Sequence, residues 1–225
     1  MSAEQTRDPV NQVVLDVRDQ IGLARFGLMN NQIWHNDPRR MVFTMSRYKF
    51  VSKMLAGRRN VLEVGCGDGF CSRVVKQEVE KLTISDYDPL FIADFAGRQD
   101  PDWPIEAKVI DVLAGPIEGR YDAAYTLDVL EHIPAELEDR FLRNVLACLI
   151  PNAPLIVGMP SLESQTYASP PSRVGHVNCK TGADFKALME TYFHNVFMFS
   201  MNDEVVHTGY QKMAHYLFAL CCGQR

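Results

Sequence analysis

The 225-residue chain lacks the signals that mark several protein classes. Its six cysteines, at 66, 71, 148, 179, 221 and 222, form no CxxC pair, stand at no spacing to an HxxxH, and follow no secretory leader. A disulfide framework and a zinc finger therefore drop out, and a reducing, cytoplasmic setting is expected. No apolar run suits a bilayer: the best, residues 213–222, is about half the length required and contains His215, so a soluble chain with no membrane partner is expected. Positive charge is not in excess, with 23 Lys and Arg against 28 Asp and Glu for a net charge of −5. A protein that grips nucleic-acid backbone releases counterions from a basic surface, so no nucleic-acid partner is expected and a small-molecule one is. There is also no internal repeat, and no linker to divide the chain. What is present is ordinary globular usage, 47% hydrophobic and 23% charged, enough for one domain over residues 1–225.

Along the chain, a polar lead over residues 1–9 gives way to apolar groups at helical spacing over 13–28, then to a helix opened by Asp37-Pro38, carrying Met41, Tyr48, Val51 and Leu55 and stopped by Gly57. From Asn60 the pattern changes. A β-prone run, Asn60-Val-Leu-Glu-Val, meets Gly65-Cys-Gly-Asp-Gly and then a helical spacing over 70–78. Apolar strands are expected at 81–85, 107–110, 121–127 and 153–159, a helix at 136–149, and a Ser-, Pro- and Gly-rich loop over 161–180 of the kind that often carries function. A helix at 181–191, a strand at 193–200, a polar excursion at 201–209 and a last strand at 215–222 complete the chain. Strands alternating with helices imply a doubly wound, mostly parallel α/β sheet covered on both faces.

The three glycines between strand and helix let a ligand approach the backbone at the crevice where such sheets bind nucleotides. Asp86, about 20 residues on at the end of the second strand, stands where a carboxylate accepts ribose hydroxyls. A dinucleotide turn wants Gly or Ala where Phe70 stands, and Glu63 and Asp68 add negative charge beside the turn. This disfavours a diphosphate, and with it a nicotinamide oxidoreductase, and favours a ligand carrying an ammonium and a sulfonium.

Val61-Leu-Glu-Val-Gly-Cys-Gly-Asp-Gly resembles the first motif of class I S-adenosylmethionine-dependent methyltransferases. Asp86-Tyr87-Asp88-Pro89 resembles their ribose-binding acidic loop, Asp111-Val112 their adenine-contacting acidic position, and the run from Tyr121 through Leu127-Asp-Val-Leu-Glu-His-Ile-Pro134 their fourth-strand motif. The resemblance covers residues 60–160 and implies a seven-stranded Rossmann-like sheet whose last strand is antiparallel. Residues 1–58 would be an N-terminal helical lid, 59–160 the cofactor half and 161–225 the acceptor side. It implies S-adenosylmethionine as cofactor, with Glu63 in the first motif and the backbone of Gly65, Cys66, Gly67 and Gly69 beneath the methionine part. Asp86 would hold the ribose, Tyr87 flank the adenine, Asp111 and Val112 meet the adenine amino group, and Leu127 and Asp128 line the cofactor from strand four. Arg47, on the lid, is a candidate partner for the methionine carboxylate.

Methyl transfer to a hydroxyl requires an aligned nucleophile and a group to take its proton. His176, in the long loop, is the first candidate for that base and His132, after strand four, the second; His207 is a third. Loop-ordering or helix-start roles are the plain alternatives. Asp128 and Glu131 could join a divalent-ion site, but no second acid cluster follows strand five, so no metal is expected. Leu127-Asp-Val-Leu occupies the place where a DNA-base methylase carries Asn or Asp, Pro-Pro and an aromatic. The expected reaction is methylation of a hydroxyl of a sugar or related metabolite. Nitrogen or carbon methylation of another metabolite, of the quinone type, and a non-catalytic cofactor-binding partner subunit remain open, as does a homodimer.

Overall fold

The computed structural model describes residues 4–225; of the polar lead, residues 1–3 lie outside the described part. Residues 9–11 form a short 3-10 turn whose first N–H groups are capped by Asp8. Of the helix expected over 13–28 only the first part forms, as α1 (Gln12–Ile21): it stops at Gly22, whose φ of 81° no helix accommodates, residues 22–27 are not helical, and a separate helix α2 (Leu28–Asn36) begins where the expected one was to end. Helix α3 (Arg39–Met54) follows the Asp37-Pro38 signal as expected.

From there strand and helix alternate: β1 (Asn60–Val64), α4 (Ser72–Lys76), β2 (Lys81–Asp86), α5 (Pro89–Ala96), β3 (Glu106–Val109), β4 (Ala123–Leu127), α6 (Glu138–Leu146) and β5 (Leu155–Pro160). Then come α7 (Pro170–Gly175), α8 (Gly182–Glu190), β6 (Phe193–Asn202), β7 (Val205–His207) and β8 (Tyr216–Gln224). The strands form one sheet in the order β3-β2-β1-β4-β5-β8-β6-β7. The first five are mutually parallel, and β8 runs antiparallel to both β5 and β6.

The expected count was seven strands; the sheet has eight. The additional strand, β7, comes from the polar stretch read as an excursion, which folds back on β6 with Met201 facing Val206 across a tight turn at Asp203. Polar residues are common on edge strands, so composition hid the pairing. The loop over 161–180 likewise contains a 3-10 turn (Glu163–Tyr167) and α7, whose first turn is capped by the Ser169 side chain.

Period-two alternation divides the core between the two faces of the sheet. Leu62, Val64, Ala124, Leu155 and Val157 point to the face covered by α6 and α8, with Phe141, Val145, Phe185 and Met189. Val61, Ala123, Tyr125 and Ile156 point to the other face, under α3, α4 and α5, with Tyr48, Val51, Val75 and Phe95. The central strands are buried on both faces, as parallel strands must be when helices cover them. Strand order reverses between β1 and β4, which places a crevice at their carboxyl ends. Among the described residues no helix is long and apolar enough to cross a membrane.

Candidate active site at the carboxyl edge of the sheet

The glycine turn leaves β1 at the switch point. Gly65 (φ 77°) and Gly67 (φ 54°) hold left-handed backbone, and a side chain at Gly65 would collide with Val129 while one at Gly67 would strike the Met29 sulfur. The turn is fixed from β2: Ser85 O accepts from the N–H groups of Gly65 and Cys66 at 2.8 and 2.9 Å. Asp86, nearly buried, accepts from Gly67 N at 2.9 Å through one oxygen and from Asp88 N at 3.0 Å through the other. Each oxygen keeps a second lone pair for a ligand. Tyr87, 75% exposed, and the exposed Asp111 border the same edge, and Ile110 N donates to Asp86 O at 2.9 Å, joining the ends of β2 and β3. Val112 and Leu127 are buried behind them. The Cys66 thiol is buried, and desolvation followed by the nearby Glu63 raises its pKa far above the usual thiol value, so it stays neutral.

The two acids of the glycine motif point inward. Glu63 does not face the crevice. Strand alternation turns it into the interior, where its carboxylate accepts from Tyr48 Oη and Ser72 Oγ at 2.6 Å and from Tyr125 Oη at 2.7 Å. Burial raises its pKa against the lowering by those three donors. Asp68 is also interior, accepting from Asn30 N and Asn30 Nδ2 at 2.7 Å and from Phe70 N at 3.0 Å. Both carboxylates are engaged by the protein's own donors, so what they bring to the turn is a field felt at Cys66 and not a contact with a ligand. Asp68 ties α2 to the turn. Asn30, which sequence reasoning missed, is its partner, and a side chain at Gly27 would overlap the Asp68 carboxylate.

Arg47 is likewise engaged. Its Nη1 lies 2.9 and 2.8 Å from the two oxygens of Asp128, and its guanidinium stacks 3.9 Å above the Tyr216 ring. Asp128 holds a positive φ of 57° at the end of β4. The Arg47–Asp128 pair bridges α3 and the end of β4, where the expectation was a pair between Arg47 and a ligand carboxylate.

Past the end of β4 the fold brings two distant segments together. After β4 a 3-10 turn (Leu130–His132) buries Glu131, and the end of α7 delivers His176. The His132 and His176 ring centroids are 5.1 Å apart. His132 Nδ1 lies 2.9 Å from Gly175 O, and His176 Nδ1 lies 2.8 Å from Gln165 Oε1. Since both acceptors are carbonyl oxygens, each Nδ1 carries the proton and each Nε2 the lone pair. Burial, then His132, lowers the pKa of His176. Glu131 is fully buried with no hydrogen-bond partner for either carboxylate oxygen, and burial followed by Asp128 pushes its pKa well up. Tyr216 Oη is also buried and unpartnered.

His207 is not brought to this cluster. It closes the β6–β7 hairpin, with Nε2 2.9 Å from Asn202 Oδ1 and Nδ1 accepting from Gly209 N at 2.9 Å. A cavity of about 790 Å³ lies elsewhere, between α1 and the α4–α5 side with Trp103; of the turn it touches only Gly69 and Phe70.

A family model described as a methyltransferase domain matches residues 33–194. The chain belongs to that family, and its switch-point glycine turn and strand order make it a class I, S-adenosylmethionine-dependent methyltransferase. Among solved structures, the chain is similar to the N-methyltransferase NodS from Bradyrhizobium japonicum WM9 in complex with S-adenosyl-L-homocysteine, at 19% identity and a TM-score of 0.62, over 84% of this chain and 90% of that one. It is similar to DhpI in its S-adenosylhomocysteine complex, at 17% identity and a TM-score of 0.63, over 87% and 92% of the two chains. The CurJ carbon methyltransferase aligns at 16% identity and a TM-score of 0.62, over 86% of this chain and 57% of that one. No curated protein matches the sequence. At such identities the likeness is one of fold.

Proposed function

We propose that the chain methylates an oxygen of a small molecule, a hydroxyl of a sugar or related metabolite, in a cytoplasmic setting. The observation that carries this reading is the Glu131–His132–His176 cluster beside the end of β4, on the acceptor side of the crevice. Methylating a hydroxyl leaves a proton to be removed, and this cluster holds two imidazole lone pairs and a carboxylate not used by the rest of the protein.

The cofactor residues follow the same reading. Gly65, Cys66 and Gly67 offer side-chain-free or buried-thiol backbone to the methionine part, and Asp86, preset by two N–H donors, has lone pairs left for the ribose. Tyr87, Asp111 and Val112 border the adenine position, and Leu127 and Asp128 close the strand-four side. Bound there, S-adenosylmethionine supplies an electrophilic methyl whose C–S electron pair stays with sulfur as the new bond to oxygen forms. The chain's own task is to align the hydroxyl in line with that bond, exclude water through the lid and take the proton at the cluster, with His176 the first candidate and His132 the second.

The test is transfer of a labelled methyl group from S-adenosylmethionine into a metabolite extract separated into sugar, lipid, aromatic and macromolecular pools. Label in the sugar pool is expected. Label on nitrogen or carbon in another pool overturns the acceptor assignment, and binding without transfer turns the chain into a partner subunit. Asp86→Ala should weaken cofactor binding by about 1.5–3 kcal/mol; unchanged affinity removes Asp86 from the site.

A further inference from the structure

We infer that Glu131, His132 and His176 form a binding site for one divalent first-row transition-metal ion. One ligand atom from each residue lies within 4.8 Å of the others. Ligands bound to one ion at about 2.0–2.2 Å stand roughly 3–4 Å apart, so small side-chain movements close the cluster on an ion.

A second observation points the same way. Glu131 is 0% exposed, and neither carboxylate oxygen meets a donor or a cation. The guanidinium nearest in the fold, Arg47, directs Nη1 to Asp128 instead. A buried carboxylate is costly unless something compensates it, and native proteins rarely leave both oxygens bare. An ion between it and the two imidazoles supplies the missing partner.

The surroundings are those of metal ligands. Metal-binding histidines use their second nitrogen to fix ring orientation, and here both do: His132 Nδ1 on Gly175 O, His176 Nδ1 on Gln165 Oε1. Gln165 is itself held, its Nε2 donating to Ser161 O at 3.1 Å. The backbone beside the carboxylate is anchored by Asn178 N donating to Glu131 O at 2.9 Å. Two imidazoles with one carboxylate suit Mn²⁺, Fe²⁺, Co²⁺ or Zn²⁺ better than Mg²⁺, which prefers oxygen ligands. Three protein ligands leave positions for water or an acceptor oxygen.

The inference departs from the absence of metal expected from sequence. It also changes the part the histidines play, because a nitrogen that coordinates an ion cannot accept a proton. Where the ion acts on the acceptor, it rests on the proposed oxygen methylation: a hydroxyl coordinated to the ion loses its proton to bulk water more readily. Binding of the ion itself does not depend on that reading.

The experiment is titration of the chelator-stripped, full-length protein with Mn²⁺ by calorimetry and by electron paramagnetic resonance, with Mg²⁺ for comparison. Mn²⁺ is the probe because the chain's free thiols also attract Zn²⁺. One Mn²⁺ per chain is expected, at least tenfold tighter than Mg²⁺. Glu131→Gln, His132→Ala and His176→Ala should each weaken it at least tenfold, and His207→Ala should leave it unchanged. Circular dichroism checks that each variant is folded, and Gln165→Ala, which alters no ligand, should weaken binding less than any ligand variant. No stoichiometric Mn²⁺ on the folded wild-type protein, or equal binding by folded Glu131→Gln and His176→Ala, overturns the site. Methyl transfer by chelator-stripped protein that binds no Mn²⁺ would overturn the metal site and leave the methylation reading standing. Stoichiometric Mn²⁺ without oxygen methylation would do the reverse.

Discussion

Glu63 and Glu131 lie at the same depth, 1% and 0% exposed, yet one receives three hydroxyl donors and the other none. Both have raised pKa values with burial as the leading cause. The difference separates a buried acid that holds the fold together from one whose partner comes from outside. Through Tyr48, Ser72 and Tyr125, Glu63 links α3, α4 and β4 beneath the glycine turn. Glu131 sits between two imidazoles whose own second nitrogens are already anchored. Beneath the glycine turn the buried acid has its acceptor bonds filled by the protein, while beside the two histidines it keeps unused oxygens.

Removing each acid is the most direct way to break this comparison. Glu63→Ala leaves three buried hydroxyls without their acceptor and should cost about 3–5 kcal/mol in urea unfolding; a loss under about 1 kcal/mol would deny it the role of a hub. Next in size, Asn30→Ala removes the side-chain Nδ2 bond to the buried Asp68, leaves the backbone N–H bond in place, and should cost about 1–3 kcal/mol. Faster amide exchange confined to α2 would show that the lid is what loosens. Glu131→Gln, by contrast, loses no protein hydrogen bond, so metal-free stability should change by less than about 1 kcal/mol in either direction. A collapse in stability there would mean that Glu131 has a structural partner.

The smallest expected effect is a pH dependence. Glu63 has a folded-state pKa above the ordinary 4.5, so in the interval above 4.5 the folded chain binds more protons than the unfolded one. Its contribution is fully present below that interval and is lost as pH rises through the folded value. Unfolding curves of wild type and Glu63→Gln across this interval should show the wild type losing stability relative to the variant as pH rises.

Much of the cofactor half is legible in the sequence because its determinants are local. Alternating apolar residues mark β1 and β4, and the glycines are required by the positive φ angles where they stand. The same alternation assigns Glu63 to the interior face, with Val61, whereas proximity along the chain suggested the crevice. Gly22 was a visible breaker inside an otherwise helical spacing. The β7 hairpin was not visible, because its stability lies in pairing with β6 and not in its own residues.

The histidine pair follows a different logic. His132 and His176 are each visible as chemistry-bearing residues, but nothing local relates them. Their contact depends on α7 packing back over the turn after β4, and on Gln165 and Gly175 orienting the rings. The sequence by itself determined the strand–glycine turn–helix unit, the acids at the strand ends and the class of methyltransferase, since period, turn conformation and motif spacing act over a few residues. Only the tertiary structure decided which buried acids are satisfied and which are bare. That depends on donors contributed by segments far apart in the chain, and burial makes the presence or absence of each donor energetically decisive.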